Sequence, residues 1–312
     1  MRVIEPEIGV PAEIQGASIA LGNFDGMHKG HQAVLDAARA AAGGATPLGM
    51  AVFDPHPRRF FQPHAAPFRI LSDTTRNHVL ADLGVDVLYR IGFDRALSLM
   101  DDRAFAADVL VGALGIAHVT VGWDFRFGKD RVGSTDSLKA LGEEFGFGVT
   151  IVEQVSLGGE DCSSSAIRAA IAKGDMAAAE KMLTRPWVVD GVVERGDQRG
   201  RELGFPTANL YLGDLIRPPV GVYAVTVRIE GEDRDRPGAA YIGWRPTFEG
   251  EDERLEAYLF DFEGDLYGRH LAVAPRAFLR GDMKFDSAEA LTAQMDADVA
   301  AARAALDALG SS

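Results

Sequence analysis

Hydrophobic and polar residues follow two different patterns along the chain. In the first half, short apolar runs typical of buried strands alternate with stretches of helical periodicity. The candidate strands are Ala17–Leu21, Leu48–Phe53, Asp86–Ile91, His118–Val121 and Val149–Val152. Helical stretches between them include Asn77–Leu83 and Phe105–Leu114. This alternation predicts a parallel sheet covered by helices, a Rossmann-like α/β domain.

The second half loses the alternation, and its strand-like runs are separated by turns rich in glycine and proline. The candidate strands are Val188–Val193, Gly221–Ile229, Ala239–Ile242, Leu255–Phe262 and His270–Val273. This pattern predicts a small antiparallel β-barrel. A C-terminal helix follows, with capping-box spacing at Asp286 and Glu289. Its core-packing stripe comprises Leu291, Met295, Val299, Ala302 and Leu306.

Length and composition fit a two-domain globular protein. A chain of 312 residues can form two separate cores. Thr184-Arg185-Pro186 marks the change of pattern, so the predicted domains are residues 1–184 and 185–312. The net charge of −14 argues against nucleic acid or an anionic membrane as the main partner. The one cysteine suits a reducing cytoplasm, and neither a leader nor a membrane-spanning run is expected.

The stretch from Gly22 to His31 reads GNFDGMHKGH and joins the first strand to a helix. A strand, a glycine-rich turn and a helix start bring backbone N–H groups and a positive helix end together, which suits phosphate. His28 and His31 lie three residues apart around Gly30. Their imidazoles can donate hydrogen bonds to phosphate oxygens, while the glycine permits close approach. The alternative is that two histidines merely line a helix start.

Three further segments carry polar or aromatic residues near predicted strand ends or helix starts. FDPHP follows the second strand, and GWDFRFGKDRVG follows the fourth. Phe125 and Phe127 in the latter either pack under the loop or contact a ligand. SSSAIRAAI begins a helix with three hydroxyls and Arg168 one turn later. These side chains are a candidate phosphate clamp, although serine at a helix start is commonly only a cap.

Candidate chemistry also occurs in the second half. GRELGFPTANL places Thr207 and Asn209 on the same side of an extended segment. Hydroxyl and amide oxygens suit a Mg²⁺ ion that already carries phosphate oxygens, and a Thr or Asx turn is the alternative. Glu256 lies on an alternating strand and is either a general base for an alcohol or a solvated strand residue.

Together with IGWRPTFEG, LEAYLFDFEGDLYG and FLRGDMKF, these motifs resemble the bacterial bifunctional riboflavin kinase/FAD synthetase family over nearly the whole chain. The resemblance implies that the C-terminal barrel phosphorylates riboflavin with ATP, giving FMN. It implies that the N-terminal domain transfers AMP from a second ATP to FMN, giving FAD and pyrophosphate. Mg²⁺ is the implied cofactor, and the oligomeric state stays open.

The resemblance also implies residue roles. The implied catalytic residues are His28, His31 and Glu256. The implied ATP and phosphate contacts are Asn23, Phe24, Gly30, Ser164, Ser165, Arg168, Gly204 and Thr207. The implied flavin or nucleotide loop contains Asp124, Phe125 and Phe127, and the implied Mg²⁺ ligands are Thr207 and Asn209.

Three positions depart from the family pattern. Ala166 stands where the family commonly has an arginine, so weaker phosphate binding is expected. Tyr241 replaces an asparagine and Tyr258 a histidine, which leaves the flavin and ADP contacts open. A kinase with an inactive N-terminal domain and a non-catalytic flavin-binding regulator are the alternatives. The retained His28, His31 and Arg168 argue against the first, and Thr207, Asn209 and Glu256 argue against the second. A lipid-precursor cytidylyltransferase would share the His-x-Gly-His sequence at His28–His31, but such an enzyme would not explain the C-terminal barrel.

Overall fold

The structure, a computed structural model, describes residues 1–44, 46–157, 160–194, 205–247 and 250–310. The chain divides into two compact units, one formed by residues 1–66 and 76–162 and the other by residues 67–75 and 163–312. This division falls before the predicted domain boundary at residues 184 and 185. It places the helices Ser164–Ala172 and Met176–Leu183 in the second unit. Where the two activities separate along the chain therefore stays a prediction.

The first unit contains a sheet of six parallel strands in the order β1-β4-β3-β2-β5-β6. The strands are β1 (Arg2–Ile4), β2 (Ser18–Leu21), β3 (Leu48–Asp54), β4 (Val87–Gly92), β5 (His118–Gly122) and β6 (Gly148–Val152). The helices are α1 (Lys29–Ala42), α2 (Pro57–Phe61), α3 (Asp73–Asp82), α4 (Arg95–Leu99), α5 (Asp102–Ala104) and α6 (Thr135–Phe145). A π-helical segment, Phe105–Ala113, continues α5. The predicted parallel α/β fold is confirmed.

The central strand β2 explains where this unit can bind a ligand. All four of its residues are buried, as expected for a parallel strand whose sequence is a short apolar run. It pairs with β3 on one side and with β5 on the other. The strands that follow β2 in the chain are therefore added on both sides of it. In such sheets a crevice opens beyond the carboxyl ends of the strands at this switch point. The turn that follows Leu21 begins there.

The second unit contains a six-stranded antiparallel sheet in the order β10-β13-β12-β11-β14-β9. A two-stranded antiparallel sheet, β7 (Ser156–Leu157) and β8 (Glu160–Asp161), precedes it in the first unit. The strands of the large sheet are β9 (Val189–Val192), β10 (Ala208–Tyr211), β11 (Gly221–Ile229), β12 (Asp235–Thr247), β13 (Gly250–Leu259) and β14 (His270–Gly281). The amide of Glu194, just after β9, donates to the carbonyl of Asn209 on β10 at 3.1 Å. This bond nearly closes the sheet into the predicted barrel.

The two faces of the barrel differ. Leu210, Leu255 and Ile242 point to the inner face and are at most 1% exposed. The helices of this unit are α7 (Ser164–Ala172), α8 (Met176–Leu183) and α9 (Ala288–Gly310). On the outer face, Ala302 of α9 packs with side chains of three barrel elements, Ala224, Ala239 and Phe260. The predicted helix therefore forms, and Val299, Ala302 and Leu306 of its predicted stripe belong to this packed cluster.

The start of α9 corrects one expectation. The Ser287 hydroxyl accepts a hydrogen bond from the amide of Ala290 at 3.1 Å, so Ser287 is the capping residue. The sequence spacing predicts Asp286 and Glu289 instead, one residue too early for the cap. A serine and an aspartate are equally good caps, so composition alone does not separate the two positions.

Residues 67–75 form a segment, here called the insert, that belongs to the second unit although it precedes most of the first sheet. Trp187, 1% exposed, donates its indole N–H to the carbonyl of Ile70 at 2.9 Å. The hydroxyls of Ser72 and Thr75 donate to the carboxylate of Asp190, whose side chain is 3% exposed. These bonds satisfy a carboxylate that would be costly to bury without donors.

Candidate active sites

The turn between β2 and α1 has an unusual backbone. Phe24 and Met27 have φ values of 47° and 45°, in the left-handed region that side chains other than glycine rarely adopt. Gly26, with φ 104°, lies between them. Both non-glycine residues are buried, at 4% and 0% exposure, so packing holds the turn in this form. Asn23, a predicted phosphate contact, is exposed at its entrance.

His28 and His31 lie together at the start of α1. His28 caps the helix, because its Nδ1 accepts a hydrogen bond from the amide of His31 at 3.4 Å. The two imidazole rings stack, with centroids 3.6 Å apart and an angle of 23° between their planes. The ring of Phe24 meets the ring of His31 edge-on at 5.1 Å. The structure therefore fixes both imidazoles beside a helix N-terminus, where an anion is stabilised.

Gln32, the residue directly after the Gly22–His31 stretch, is a site residue for which the sequence predicts no role. Its side-chain amide donates to the carbonyl of Met27 at 2.9 Å. That carbonyl belongs to the residue with positive φ just before His28, so the bond ties the turn to the first turn of α1. Helical spacing gives no signal for this bond, because Met27 lies five residues before Gln32 and outside α1.

The loop after β5 lies at the same edge of the sheet, since β5 is paired with β2. Asp124 is exposed and Phe125 half-buried. Phe127 is only 5% exposed and packs against Phe105 and Phe125, with ring centroids 5.6 Å away in each case. This burial favours the packing interpretation for Phe127 over the predicted contact with a ligand. Asp124 and Phe125 stay candidates.

The predicted second phosphate clamp lies at the start of α7, in the second unit. Ser163 is the cap of this helix, and its hydroxyl accepts from the amide of Ala166 at 3.2 Å. Ser164 and Ser165 are therefore the first two helical residues, half-buried and exposed respectively. Arg168 donates from Nε to the carbonyl of Phe68 at 2.8 Å. The insert thus orients this guanidinium.

The barrel brings Asn209 and Glu256 together. Asn209 on β10 is directly paired with Glu256 on β13, and Glu256 is paired with Tyr241 on β12. Directly opposite residues of antiparallel strands have side chains on the same face, with Cβ atoms about 5 Å apart. That face is the outer one. Thr207, two residues before Asn209, is half-buried. Gly204, a predicted phosphate contact, lies outside the described residues.

The side chain of Asn209 is suited to coordinate a hard cation. Its side chain is 5% exposed, and its Oδ1 atom is buried without a hydrogen-bond partner among the described residues. A buried amide oxygen of this kind is costly unless something binds it. Within the described part of the chain, no three His, Cys, Asp or Glu side chains cluster as a metal site. Hydroxyl and amide oxygens, together with oxygens of a phosphate substrate, are ligands that suit Mg²⁺.

Comparison with known proteins identifies the family of this chain. The FAD synthetase family model matches residues 10–166, and the riboflavin kinase model matches residues 183–306. A bifunctional riboflavin kinase/FMN adenylyltransferase from Pseudomonas fluorescens is 42% identical over 306 residues, 97% of each chain. The protein of the same description from Escherichia coli K12 is 39% identical over 93% of this chain and 92% of that one. The chain belongs to the bifunctional riboflavin kinase/FMN adenylyltransferase family.

Membership of the riboflavin kinase/FMN adenylyltransferase family confirms the predicted fold, and it makes the chain a transferase with two activities. The FAD synthetase match covers strands β2 to β6 of the parallel sheet, and the riboflavin kinase match covers the barrel and most of α9. The order of the two activities along the chain is the predicted one. A solved chain from Streptococcus pneumoniae, described as a macrolide-efflux protein, has 32% identity and a TM-score of 0.81 over 95% of this chain and 96% of that chain. Among the described residues, no helix is long and apolar enough to span a bilayer.

Proposed function

We propose that the barrel of this chain phosphorylates riboflavin with Glu256 as the general base. We also propose that its α/β unit adenylylates FMN, with His28 and His31 contacting the ATP phosphates. The observation that carries the kinase assignment is the cross-strand pairing of Asn209 with Glu256. It sets a candidate base for an alcohol beside a buried oxygen suited to a cation that accompanies ATP. The stacked histidines at the start of α1 support the adenylyl transfer.

The kinase step needs a base because a primary alcohol is a weak nucleophile. The oxygen of the terminal ribityl hydroxyl attacks the γ-phosphorus of ATP, and the bond from that phosphorus to the bridging oxygen breaks. Glu256 accepts the hydroxyl proton, and ADP leaves. Because Glu256 is half-buried on a strand rather than on a loop, its carboxylate is held in place for this transfer.

Thr207 and Asn209 are the residues that would hold Mg²⁺. When bound, Mg²⁺ neutralises negative charge on the phosphate oxygens of ATP. The protein contributes the hydroxyl of Thr207 and the buried Oδ1 of Asn209, which lie two residues apart on the same side of an extended segment.

Replacing Asn209 by alanine is therefore expected to raise the Mg²⁺ concentration that gives half-maximal riboflavin phosphorylation. Loss of outer-sphere partners of a metal already costs about 10- to 100-fold in affinity, so loss of a direct ligand is expected to cost about tenfold or more. The measurement is a Mg²⁺ titration of FMN formation. The same titration of FAD formation from FMN is the control and is expected to be unchanged. An unaltered Mg²⁺ requirement in the kinase reaction would remove Asn209 from the site.

Adenylyl transfer needs stabilisation of phosphate charge rather than a base. An oxygen of the FMN phosphate attacks the α-phosphorus of ATP, and pyrophosphate leaves as its bond to that phosphorus breaks. The FMN oxygen is already an anion. His28 and His31 donate hydrogen bonds to the phosphate oxygens as charge builds on them, aided by the N–H groups of the first turn of α1. Asn23, Ser164, Ser165 and Arg168 stay predicted contacts.

Gly30 is expected to be essential for this geometry. A Cβ atom at this position would lie 3.1 Å from Cε1 and 3.2 Å from Nδ1 of His28, and 3.4 Å from the carbonyl oxygen of Cys162. Gly30→Ala is therefore expected to push the imidazole of His28 aside by a few tenths of an ångström. Because a misplacement of about 1 Å can cost about a hundredfold, FAD formation from FMN is expected to fall by about two- to tenfold.

Two controls accompany the Gly30→Ala measurement. Riboflavin phosphorylation by the same variant should be unchanged, since the kinase residues lie in the barrel. Gly43→Ala changes the other end of α1, where a Cβ atom meets nothing within 4 Å, and φ is 59°. This variant costs helix stability without touching the histidines, so it should keep its FAD-forming rate. Equal losses in both variants would mean that Gly30 matters only for the fold.

Labelled ATP tests the two proposed reactions separately. With riboflavin as substrate, label in the γ-phosphate of ATP is expected in FMN, in the FAD made from that FMN, and in the pyrophosphate released by the second reaction. With FMN as substrate, label in the α-phosphate is expected in FAD and label in the γ-phosphate in pyrophosphate. Label in any other product would refute the assigned step.

A further inference from the structure

A row of side chains crosses the outer face of the barrel and contains Glu256. The strand register pairs Asn209 with Glu256, Glu256 with Tyr241, Tyr241 with Val222 and Val222 with Arg280. Tyr241 is thus the immediate neighbour of Glu256 on the side away from Asn209. The part of this face next to the row is covered by α9, which packs on Ala224 and Ala239.

The ring of Tyr241 has a defined position. A Cβ atom on Gly243 would lie 2.4 Å from the Tyr241 hydroxyl oxygen and 2.5 Å from two ring carbons. The ring therefore lies along β12 over Gly243, a residue that leaves room for it. The hydroxyl donates to Oδ1 of Asp282 at 3.3 Å. Burial, then the charge of Asp282, its hydrogen bond and the charge of Glu256, raise the pKa of Tyr241, and Arg280 opposes them. The phenol therefore keeps its proton at neutral pH.

The far end of the row is anchored. Arg280 makes two bonds to the carboxylate of Asp298 on α9, from Nε at 2.8 Å and from Nη2 at 2.6 Å. The side-chain amide of Gln294 donates to the same carboxylate at 2.9 Å. A bidentate pair of this kind fixes both side chains. Tyr241 therefore stands between a fixed arginine and Glu256, with its proton directed to Asp282.

We propose that Tyr241 is a specificity residue for riboflavin, whose phenol oxygen accepts a hydrogen bond from a secondary hydroxyl of the ribityl chain. This inference rests on the proposed kinase role of Glu256. Riboflavin carries several hydroxyls in a row, of which the terminal one reacts. Neighbouring strands lie about 4.8 Å apart, so a polyhydroxylated chain whose terminal hydroxyl lies at Glu256 extends over the strand that carries Tyr241.

The test is Tyr241→Phe, which removes the hydroxyl but keeps the ring over Gly243. The KM for riboflavin is expected to rise by about two- to tenfold, the value of one neutral hydrogen bond, with little change in kcat. A sharper readout uses riboflavin analogues that each lack one secondary ribityl hydroxyl. One analogue should be a poorer substrate than riboflavin for the wild-type protein. For Tyr241→Phe, that analogue and riboflavin should be equally good substrates. The variant has no phenol oxygen to accept a hydrogen bond from the ribityl hydroxyl that the analogue lacks.

Tyr223→Phe is the matched control. Tyr223 is buried on the inner face of β11, and its hydroxyl donates to the carbonyl of Pro219. Its loss is expected to lower thermal stability and leave the analogue penalties unchanged. Equal analogue penalties in wild type and Tyr241→Phe would overturn the role of Tyr241, while the kinase assignment would stand. Absence of FMN formation by the wild-type protein would instead overturn the proposed function itself.

Discussion

Glu256→Gln is expected to stop the formation of FMN from riboflavin while FMN is still converted to FAD. Glutamine keeps the size and planarity of glutamate but is not a base at neutral pH. A positioned base contributes about a hundred- to ten-thousandfold, so riboflavin phosphorylation should fall by that factor. FMN already carries an anionic phosphate oxygen and needs no such base. The two activities of one variant therefore serve as each other's reference.

Glu230→Gln is the matched control for this variant. Glu230 is exposed directly after β11 and carries the same charge as Glu256. The control should keep wild-type rates for both reactions, which excludes a general effect of lost negative charge. Wild-type phosphorylation by Glu256→Gln would leave Glu256 a solvated strand residue, the alternative that the sequence left open.

His31→Ala is expected to have the opposite effect. If His31 stabilises charge on the α-phosphate, FAD formation from FMN should slow by about a hundredfold or more, the cost of one well-placed donor. Riboflavin phosphorylation should hardly change. The measurement compares the initial rates of the two reactions, each started with its own flavin substrate.

Two further variants separate a chemical role of His31 from a packing role. His31→Ala also removes a ring that stacks on His28 and meets Phe24 edge-on. His31→Gln restores a hydrogen-bond donor without the ring, and it should recover part of the lost rate. His64→Ala removes an exposed histidine elsewhere in the same unit and should change neither activity. Equal losses of both activities in His31→Ala would show that His31 is structural.

The fold was predictable because each strand class leaves its own pattern. Buried parallel strands such as β2 read as short apolar runs after which a helix follows, and the antiparallel strands of the barrel follow one another through turns. The histidine pair could also be predicted from the sequence, since a strand, a glycine-rich turn and a helix start are local features. His28 and His31 are close in sequence and therefore close in space.

Contacts between segments that are distant in the chain could not be predicted from the sequence in this way. The pairing of Asn209 with Glu256 depends on strand register, which spacing within either strand does not determine. The insert, residues 67–75, bonds to Trp187 and Asp190 more than a hundred residues later, and no local pattern announces this. Phe127 shows the same limit on a smaller scale. The sequence alone does not distinguish a loop aromatic residue that packs beneath the loop from one that points outward.

The most direct test of the account is a time course with the wild-type protein, riboflavin, ATP and Mg²⁺, in which the flavins are separated by chromatography. The account predicts that both FMN and FAD form and that FMN appears before FAD. The same protein supplied with FMN and ATP should make FAD without a lag. FMN as the sole product, or no new flavin at all, would contradict a chain that carries both activities.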